Sequence, residues 1–398
     1  MEVMAGPAIV RGFRFAGVSA GLKSNLGVKD LGLIVADAPV PAAGVFTTNR
    51  VKAAPVVVAQ ERIRRGRLRA IAANSGCANC FTGRPGLKLA RDSSAAVARE
   101  VGCAPELVAP CSTGVIGHLY DFEQYRRGVL EAVDNLSPDG LENFATAIMT
   151  TDTRPKMASV TLPLRSGAIT IAGCAKGAGM IQPNMATMLA YIVTDAMVAP
   201  AALRGIVKRV LPLSFNAITI DGDMSTNDTV MIMASGAAQS RALAGRELNT
   251  FEDWVREIAR SLAWQLVNDG EGVTKLVSIE VRGAHNSAEA LRVARQIANS
   301  PLVKTAFFGC DPNVGRIIAA AGAAGVAFDP DRLELVVGGV RIAAHGALIV
   351  EALAQAQKKM REREFRVILD LKQGRSRAVM LTCDLSFDYV KINAEYTT

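Results

Sequence analysis

Apolar positions along the first 75 residues come in short runs rather than at helical spacing. The runs at 31–35, 44–48 and 54–59 read as three strands. The run at 69–73 leads into a turn of small and polar residues, Asn74-Ser-Gly-Cys-Ala-Asn-Cys80. At 87–101 the period lengthens, and Leu89, Ala96, Val97 and Val101 share one face of a helix. Residues 122–133 and 141–149 read as two further helices, the second stopped by Pro155. A hairpin of 159–164 and 168–172 turns about Arg165-Ser-Gly167, and strands follow at 187–193 and 229–234. Helices are expected at 200–211 and at 250–267, the latter with Phe251, Trp254, Val255, Ile258, Leu262 and Leu266 inward. Residues 217–220 read as a strand ahead of a polar turn, and 275–281 as another strand.

A boundary between domains is expected at 282–286, dividing the chain into 1–282 and 283–398. The second part has its own plan: helices at 287–297, 315–324 and 348–361, a strand at 333–337, and a hairpin of 365–371 with 377–382. Mixed strands and helices of this kind describe an α+β protein.

Half of the residues are hydrophobic, which fits a globular enzyme rather than a disordered or fibrous chain. The net charge of +8 is spread over helix faces, as in Glu61-Arg-Ile-Arg-Arg-Gly-Arg-Leu-Arg69. Without interleaved aromatics it argues against nucleic-acid binding and is compatible with attraction of anionic substrates. Seven scattered cysteines argue for reduced thiols and a cytoplasmic setting. Cys77-Ala-Asn-Cys80 lacks a second pair, and three histidines are too few to favour a zinc site. The N-terminus shows no basic-then-apolar signal pattern, and the longest apolar run, 317–328, is too short for a bilayer.

The stretch around which the chain is organised is Lys176-Gly-Ala-Gly-Met-Ile-Gln-Pro-Asn-Met-Ala186-Thr187-Met-Leu. Gly177, Gly179 and Pro183 make its first half a loop, and the apolar run after it makes a buried strand. Thr187 therefore stands at the entry to a rigid element, where a nucleophile is both accessible and held. An N-terminal threonine uses its own α-amine as base, so this chemistry requires the Ala186–Thr187 bond to be cut first. On composition alone a glycine-rich loop leading into a strand is usually just a connection. Ala109-Pro-Cys-Ser-Thr-Gly-Val-Ile-Gly117 reads as another loop, in which Thr113 and Gly114 offer a hydroxyl and an N–H of the kind an oxyanion hole uses. His118 reads as a surface histidine.

The 176–189 string resembles the self-cleavage segment of the ornithine acetyltransferases, also called bifunctional glutamate N-acetyltransferases, of arginine biosynthesis. The resemblance extends over essentially the whole chain. It implies a layered α-β-β-α sandwich of the N-terminal-nucleophile type with a smaller α/β C-terminal domain. It also implies self-cleavage between Ala186 and Thr187, giving an α chain (1–186) and a β chain (187–398) that assemble as an α2β2 heterotetramer. The implied reaction moves acetyl from N2-acetylornithine to glutamate through Thr187, without metal or cofactor, acetyl-CoA being a further co-substrate of the bifunctional members. Thr113 and Gly114 match the oxyanion pair. Thr150 (with Thr151 as its neighbour), Lys176, Glu271, Asn393 and Thr398 match substrate-binding positions.

Three other readings compete. An amidase or aminopeptidase of related fold would use water in place of glutamate. A nucleotide-dependent dehydrogenase is suggested by Gly177 and Gly179, but Gln182 stands where the third glycine of G-x-G-x-x-G belongs. A binding protein would keep the chain uncut. A calcium loop at Asp221, Asp223 and Ser225 fails, since Thr226 and Ile232 stand where that loop needs glycine and glutamate.

Overall fold

The computed structural model describes residues 2–25, 27–165, 167–182, 188–239 and 241–395. The chain forms two units, one from Met1–Asn216 and Asp223–Leu266, the other from Ala217–Gly222 and Val267–Thr397. In chain order the first unit contains β1 (Phe13–Val18), β2 (Leu31–Phe46), α1 (Ala54–Ile63), β3 (Arg67–Asn74), α2 (Gly83–Val101) and β4 (Val108–Ser112). It continues with α3 (Phe122–Asp134), α4 (Leu141–Ala147), β5 (Lys156–Leu162), β6 (Ile169–Lys176), β7 (Leu189–Thr194), α5 (Pro200–Val210), β8 (Thr229–Ala234) and most of α6 (Gly245–Asn268).

One strand holds this unit together. The apolar runs expected as separate strands at 31–35 and 44–48 are the two ends of β2. Its pairing slips between Val35 and Val40, around Pro39 and Pro41, as at a bulge, where a strand bends and proline is tolerated. Before the slip β2 pairs with β1 and β3; after it, Val40 and Pro41 still pair with β3, and from Ala42 onward β2 pairs with β8. The order β4-β3-β2-β8-β7-β6-β5, with β1 also on β2, is thereby folded into two faces.

Side-chain alternation fills the space between them. Phe13, Phe15 and Ile34 meet Cys174, Leu189, Tyr191 and Met231 in one buried cluster. On the outer face of the first sheet, Leu31, Leu33 and Val108 pack with Leu89 and Val97 of α2 and Tyr125 and Val129 of α3. On the outer face of the second, Gln265 of α6 hydrogen-bonds the backbone of Met157 on β5 through both N–H (3.2 Å) and C=O (2.9 Å). The layers run helix, sheet, sheet, helix, the sandwich that the resemblance implies.

Two local expectations fail here. The run at 54–59, read as a strand, is the start of α1; a short apolar run does not distinguish a strand from a buried helix, and Pro55 suits a first helical turn. The string 109–117, read as a loop, begins as β4, a buried edge strand parallel to β3 on which Pro110 is accommodated.

The second unit contains β9 (Leu276–Ala284), α7 (Ser287–Asn299), α8 (Pro301–Phe308), α9 (Val314–Gly322), β10 (Glu334–Val337), β11 (Val340–Ala344) and β12 (Ala347–Leu348). It ends with α10 (Leu353–Met360), β13 (Glu364–Asp370), β14 (Ser376–Cys383) and α11 (Phe387–Glu395). Its sheet order is β12-β11-β10-β13-β9-β14. The expected hairpin of 365–371 with 377–382 is therefore absent: β13 and β14 lie on either side of β9, parallel and antiparallel to it. Val277, Ile279 and Val281 are buried, which suits the centre of a sheet, whereas β14 alternates with more exposed residues and suits an edge. Because β9 is central, the division falls near residue 267, ahead of the 282–286 expected. The stretch 217–220 contributes a single bridge, Ile218 to Leu381, rather than a strand. The helix expected at 348–361 is confined to α10.

Candidate active site

Lys176 is the last residue of β6, opposite Leu189 at the start of β7, and only 7% exposed. Burying an ammonium requires partners, and three are in place. Its Nζ donates to Thr150 Oγ1 at 2.7 Å and to Thr113 Oγ1 at 3.3 Å, and lies 4.0 Å from Asp152 Oδ2.

Asp152 is the anion at the centre of this group. Its Oδ1 accepts from Lys156 Nζ at 2.5 Å and from the Gly177 N–H at 2.6 Å, and its Oδ2 accepts from the Thr150 N–H at 3.0 Å. Burial opposes its charge, but Lys176, then Lys156 and the hydrogen bonds, outweigh burial and bring its pKa down to about 2. The carboxylate thus stays ionised and fixes Thr150, Lys156, the start of the 177–182 loop and Lys176 in one cluster.

This arrangement sets a pH dependence. A carboxyl with a depressed folded-state pKa contributes stability above its unfolded value, and that stability is lost as pH falls towards about 2. Asp152→Asn leaves Lys156, fully buried, without its counter-charge. At neutral pH the variant is expected to lose about 3–5 kcal/mol. The gap from wild type should narrow as pH falls below the ordinary carboxylate range, as measured by urea unfolding at a series of pH values.

Thr113 and Gly114 follow β4 directly. The Thr113 N–H donates to Asn74 O at 2.9 Å and the Val115 N–H to Gly76 O at 3.2 Å, which clamps the turn to the loop after β3. Between them Gly114 has φ +128°, and a Cβ there would lie 2.3 Å from the Gly76 carbonyl carbon. Only glycine fits so close a backbone approach. With its neighbours' N–H groups used, the Gly114 N–H has no acceptor among the described residues. The Thr113 hydroxyl accepts from Lys176 and keeps its own proton to donate. These are two donors, backed by a fixed cation, of the type that stabilises an anionic oxygen.

A buried polar chain holds the turn. Asn227 Nδ2 donates to Ala78 O (2.7 Å) and Ser112 O (2.9 Å). Ser112 Oγ donates to Asn74 Oδ1 (2.6 Å), and Asn74 Nδ2 to Cys77 O (3.0 Å). Cys77 and Cys80 are buried free thiols in this scaffold, and His118 is exposed.

Of the residues singled out from sequence, Thr113, Gly114, Thr150 and Lys176 come together, and it is Thr150 rather than Thr151 whose hydroxyl meets Lys176. Glu271 and Asn393 meet in the second unit, where Asn393 Nδ2 donates to Glu271 Oε2 at 2.8 Å. Gly272, at φ +66°, allows this: a Cβ there would lie 2.4 Å from the Tyr389 nitrogen, so the Glu271 turn sits directly against α11. Ala186, Thr187 and Thr398 lie outside the described residues. Asp152, Lys156, Asn227 and Asp228 escaped the sequence reading. The one available signal was a lysine opening an otherwise apolar buried strand, which demands a nearby counter-charge.

Comparison with known proteins identifies the lineage. The ArgJ family matches residues 14–398. The chain belongs to the ArgJ family. Among relatives named "Arginine biosynthesis bifunctional protein ArgJ", that of Geobacter sulfurreducens is 49% identical over 392 residues, covering 98% of this chain and 100% of its own. That of Symbiobacterium thermophilum is 43% identical over 402 residues, covering 100% of both chains. The solved ArgJ structure from Bacillus halodurans superposes with a TM-score of 0.51 at 37% identity, covering 53% of this chain and 100% of its own. ArgJ family membership thus spans both units and includes the Lys176–Thr113–Thr150 cluster.

Proposed function

We propose that this chain is an acetyltransferase of arginine biosynthesis that cuts itself between Ala186 and Thr187 and then carries acetyl on Thr187 from N2-acetylornithine to glutamate. The observation that carries the reading is the pair of free donors at Thr113 and Gly114, fixed beside Lys176 in the strand layer that β7 enters. Thr187 stands two residues before β7 in the chain, and its oxygen attacks first the Ala186 carbonyl and later the acetyl carbonyl. Each attack creates an oxyanion, which the Thr113 hydroxyl and the Gly114 N–H receive. After cleavage the new α-amine is the base.

The sheet explains why cleavage leaves the protein whole. β6 and β7 lie on opposite sides of the cut yet are paired from Ile171–Thr194 to Lys176–Leu189, and β2 is paired with β8. The 53% of this chain covered by the whole Bacillus halodurans chain is the share that a chain from Thr187 to Thr398 would have, in keeping with processing at this bond. In the second unit the Asn393–Glu271 pair offers an amide donor and a carboxylate, a match for the carboxylate and ammonium common to ornithine and glutamate. The first half-reaction turns an acetamide into the acetate ester of Thr187 and the second turns that ester back into an acetamide, so the net reaction exchanges one acetamide for another and draws on no metal or cofactor. Acetyl-CoA is the donor we assign to the second activity that the relatives' word "bifunctional" supports. Seven free thiols suit a cytoplasmic enzyme, and two copies of each processed chain make up the heterotetramer. No helix among the described residues is long and apolar enough to cross a membrane.

Kinetics test the covalent intermediate. Initial rates at several fixed glutamate concentrations should give parallel double-reciprocal lines. Acetylornithine alone should add one acetyl mass to the β chain, and glutamate should discharge it. Intersecting lines with no mass gain would exclude acetyl-threonine. Ornithine release that does not depend on glutamate would instead identify an amidase.

A further inference from the structure

Alternation along β9 divides its side chains between two faces of the sheet. Val277, Ile279 and Val281 pack with Val293 and Ile297 of α7 and Ile317 of α9 in the buried core. Glu280 and Arg282 stand on the opposite face. Across the ladder from Arg282 are Asp370 on β13 and Arg377 on β14. Arg332 lies two residues before β10, and Lys372 and Arg375 lie in the turn between β13 and β14. These side chains line a cavity of about 490 Å³ whose wall, among the described residues, is charged groups and glycine backbone alone.

The carboxylates of this face are already matched. Asp370 Oδ2 pairs with Arg282 Nε at 3.0 Å and with Lys372 Nζ at 3.3 Å. Glu334 Oε2 pairs with Lys372 Nζ at 3.1 Å, and Glu280 Oε2 with Arg366 Nη1 at 3.5 Å. Arg332, Arg375 and Arg377 are left over: all three are exposed, and none of their side chains has a hydrogen bond or ion pair among the described residues. Arg377 moreover faces Arg282 across the ladder. Like charges directly opposite cost stability, and an anion between them removes that cost. The turn that carries Lys372 and Arg375 is pinned in place. The Lys372 N–H donates to Asp370 Oδ1 at 3.0 Å, and the Gln373 and Gly374 N–H groups both donate to Gly283 O at 2.8 Å. Lys372 is held there at φ +55°, a conformation uncommon outside glycine.

We propose that this cavity binds a small ligand through a diphosphate group held by Arg332, Arg375 and Arg377. Three uncompensated guanidinium groups call for about three negative charges, and a diphosphate ester carries roughly that number at neutral pH. Glutamate, with an ammonium beside its two carboxylates, carries one. The planar donor fork of arginine matches phosphate oxygens two at a time. The volume lies within the range of small-molecule sites. With no aromatic side chain in the lining to stack on a base, recognition rests on the phosphates rather than on a ring. Free pyrophosphate, a nucleoside diphosphate and coenzyme A share this group. None of the residues assigned to acetyl transfer lines the cavity, so this site is a separate one and stands whether or not that assignment holds.

The test is titration calorimetry of the purified protein with pyrophosphate, ADP, coenzyme A and citrate in turn. Pyrophosphate should bind with a Kd below about 1 mM at low ionic strength, and more weakly as sodium chloride is raised. Arg375→Gln combined with Arg377→Gln should weaken it on the order of 10-fold or more. The melting temperature should not fall, since those side chains hold nothing in the folded chain. Arg99→Gln combined with Arg127→Gln removes the same charge from exposed positions of the first unit and should leave binding unchanged. ADP and coenzyme A no tighter than pyrophosphate would mark the diphosphate itself as the recognised group. A gain of more than about 10-fold for one of them, lost in the Arg375/Arg377 variant, would mark that larger molecule as the occupant. Three results would overturn the proposal: no binding of pyrophosphate at about 10 mM, citrate bound as tightly as pyrophosphate, or equal weakening by the Arg99/Arg127 variant.

Discussion

Thr187→Ala is expected to yield a single full-length chain with no acetyl transfer, the largest effect of any single substitution here. The variant keeps the backbone and loses the hydroxyl together with one methyl. Without that oxygen neither acyl shift nor acetyl-enzyme can form, so processing and turnover disappear together. Folding should be retained, because β6–β7 and β2–β8 pairing already crosses the cut in the intact chain. Denaturing electrophoresis and intact mass decide the first point, and an assay with acetylornithine and glutamate the second. Two chains from the purified variant would refute self-cleavage at this bond. Thr187→Ser separates the roles further: a hydroxyl remains, so cutting should persist.

How much of this was legible in the sequence depends on the distance over which each feature is decided. The α6 stripe, the β5–β6 hairpin and helices α2, α3 and α5 follow from local periodicity and were expected within a few residues of where they lie. The unity of β2 was hidden because Pro39 and Pro41 look like a break, and only its partners β3 and β8 show that the strand continues. Sheet order was equally non-local: β13 and β14 are separated by a short turn, yet β9 takes the place between them. The site divides the same way. Thr113, Gly114 and Lys176 were visible because small residues, a hydroxyl and a cation stand in distinctive strings. Asp152, Lys156 and Asp228 were not, because nothing in Thr-Thr-Asp-Thr or Thr-Asn-Asp-Thr says which lysine the carboxyl will face. That is fixed by the register of β5 against β6 for Asp152 and Lys156, and of β6 against β7 and β7 against β8 for Asp228.

The turn that follows β4, held to the end of β3, is expected to be the most sensitive position after Thr187. Thr113→Ala should fold normally, since the Thr113 N–H still bonds Asn74 O and Asn227 still holds Ser112 O. It removes one hydroxyl donor and one acceptor of Lys176, leaving Lys176 its bond to Thr150 and its ion pair with Asp152. Turnover should fall by roughly 100- to 1000-fold, the usual cost of one such donor. Thr113→Ser should recover most of it. Gly114→Ala acts differently. Its methyl would lie 2.3 Å from the Gly76 carbonyl carbon and 2.6 Å from the Cys77 nitrogen, both backbone atoms, at a φ that L-residues avoid. The turn must move, carrying the Thr113 hydroxyl and the Gly114 N–H away from the reacting oxygen together. The loss should therefore exceed that of Thr113→Ala and should not be rescued by any change at Thr113. Wild-type kcat in Thr113→Ala would place oxyanion stabilisation elsewhere, and wild-type kcat in Gly114→Ala would show that this turn takes no part in the chemistry.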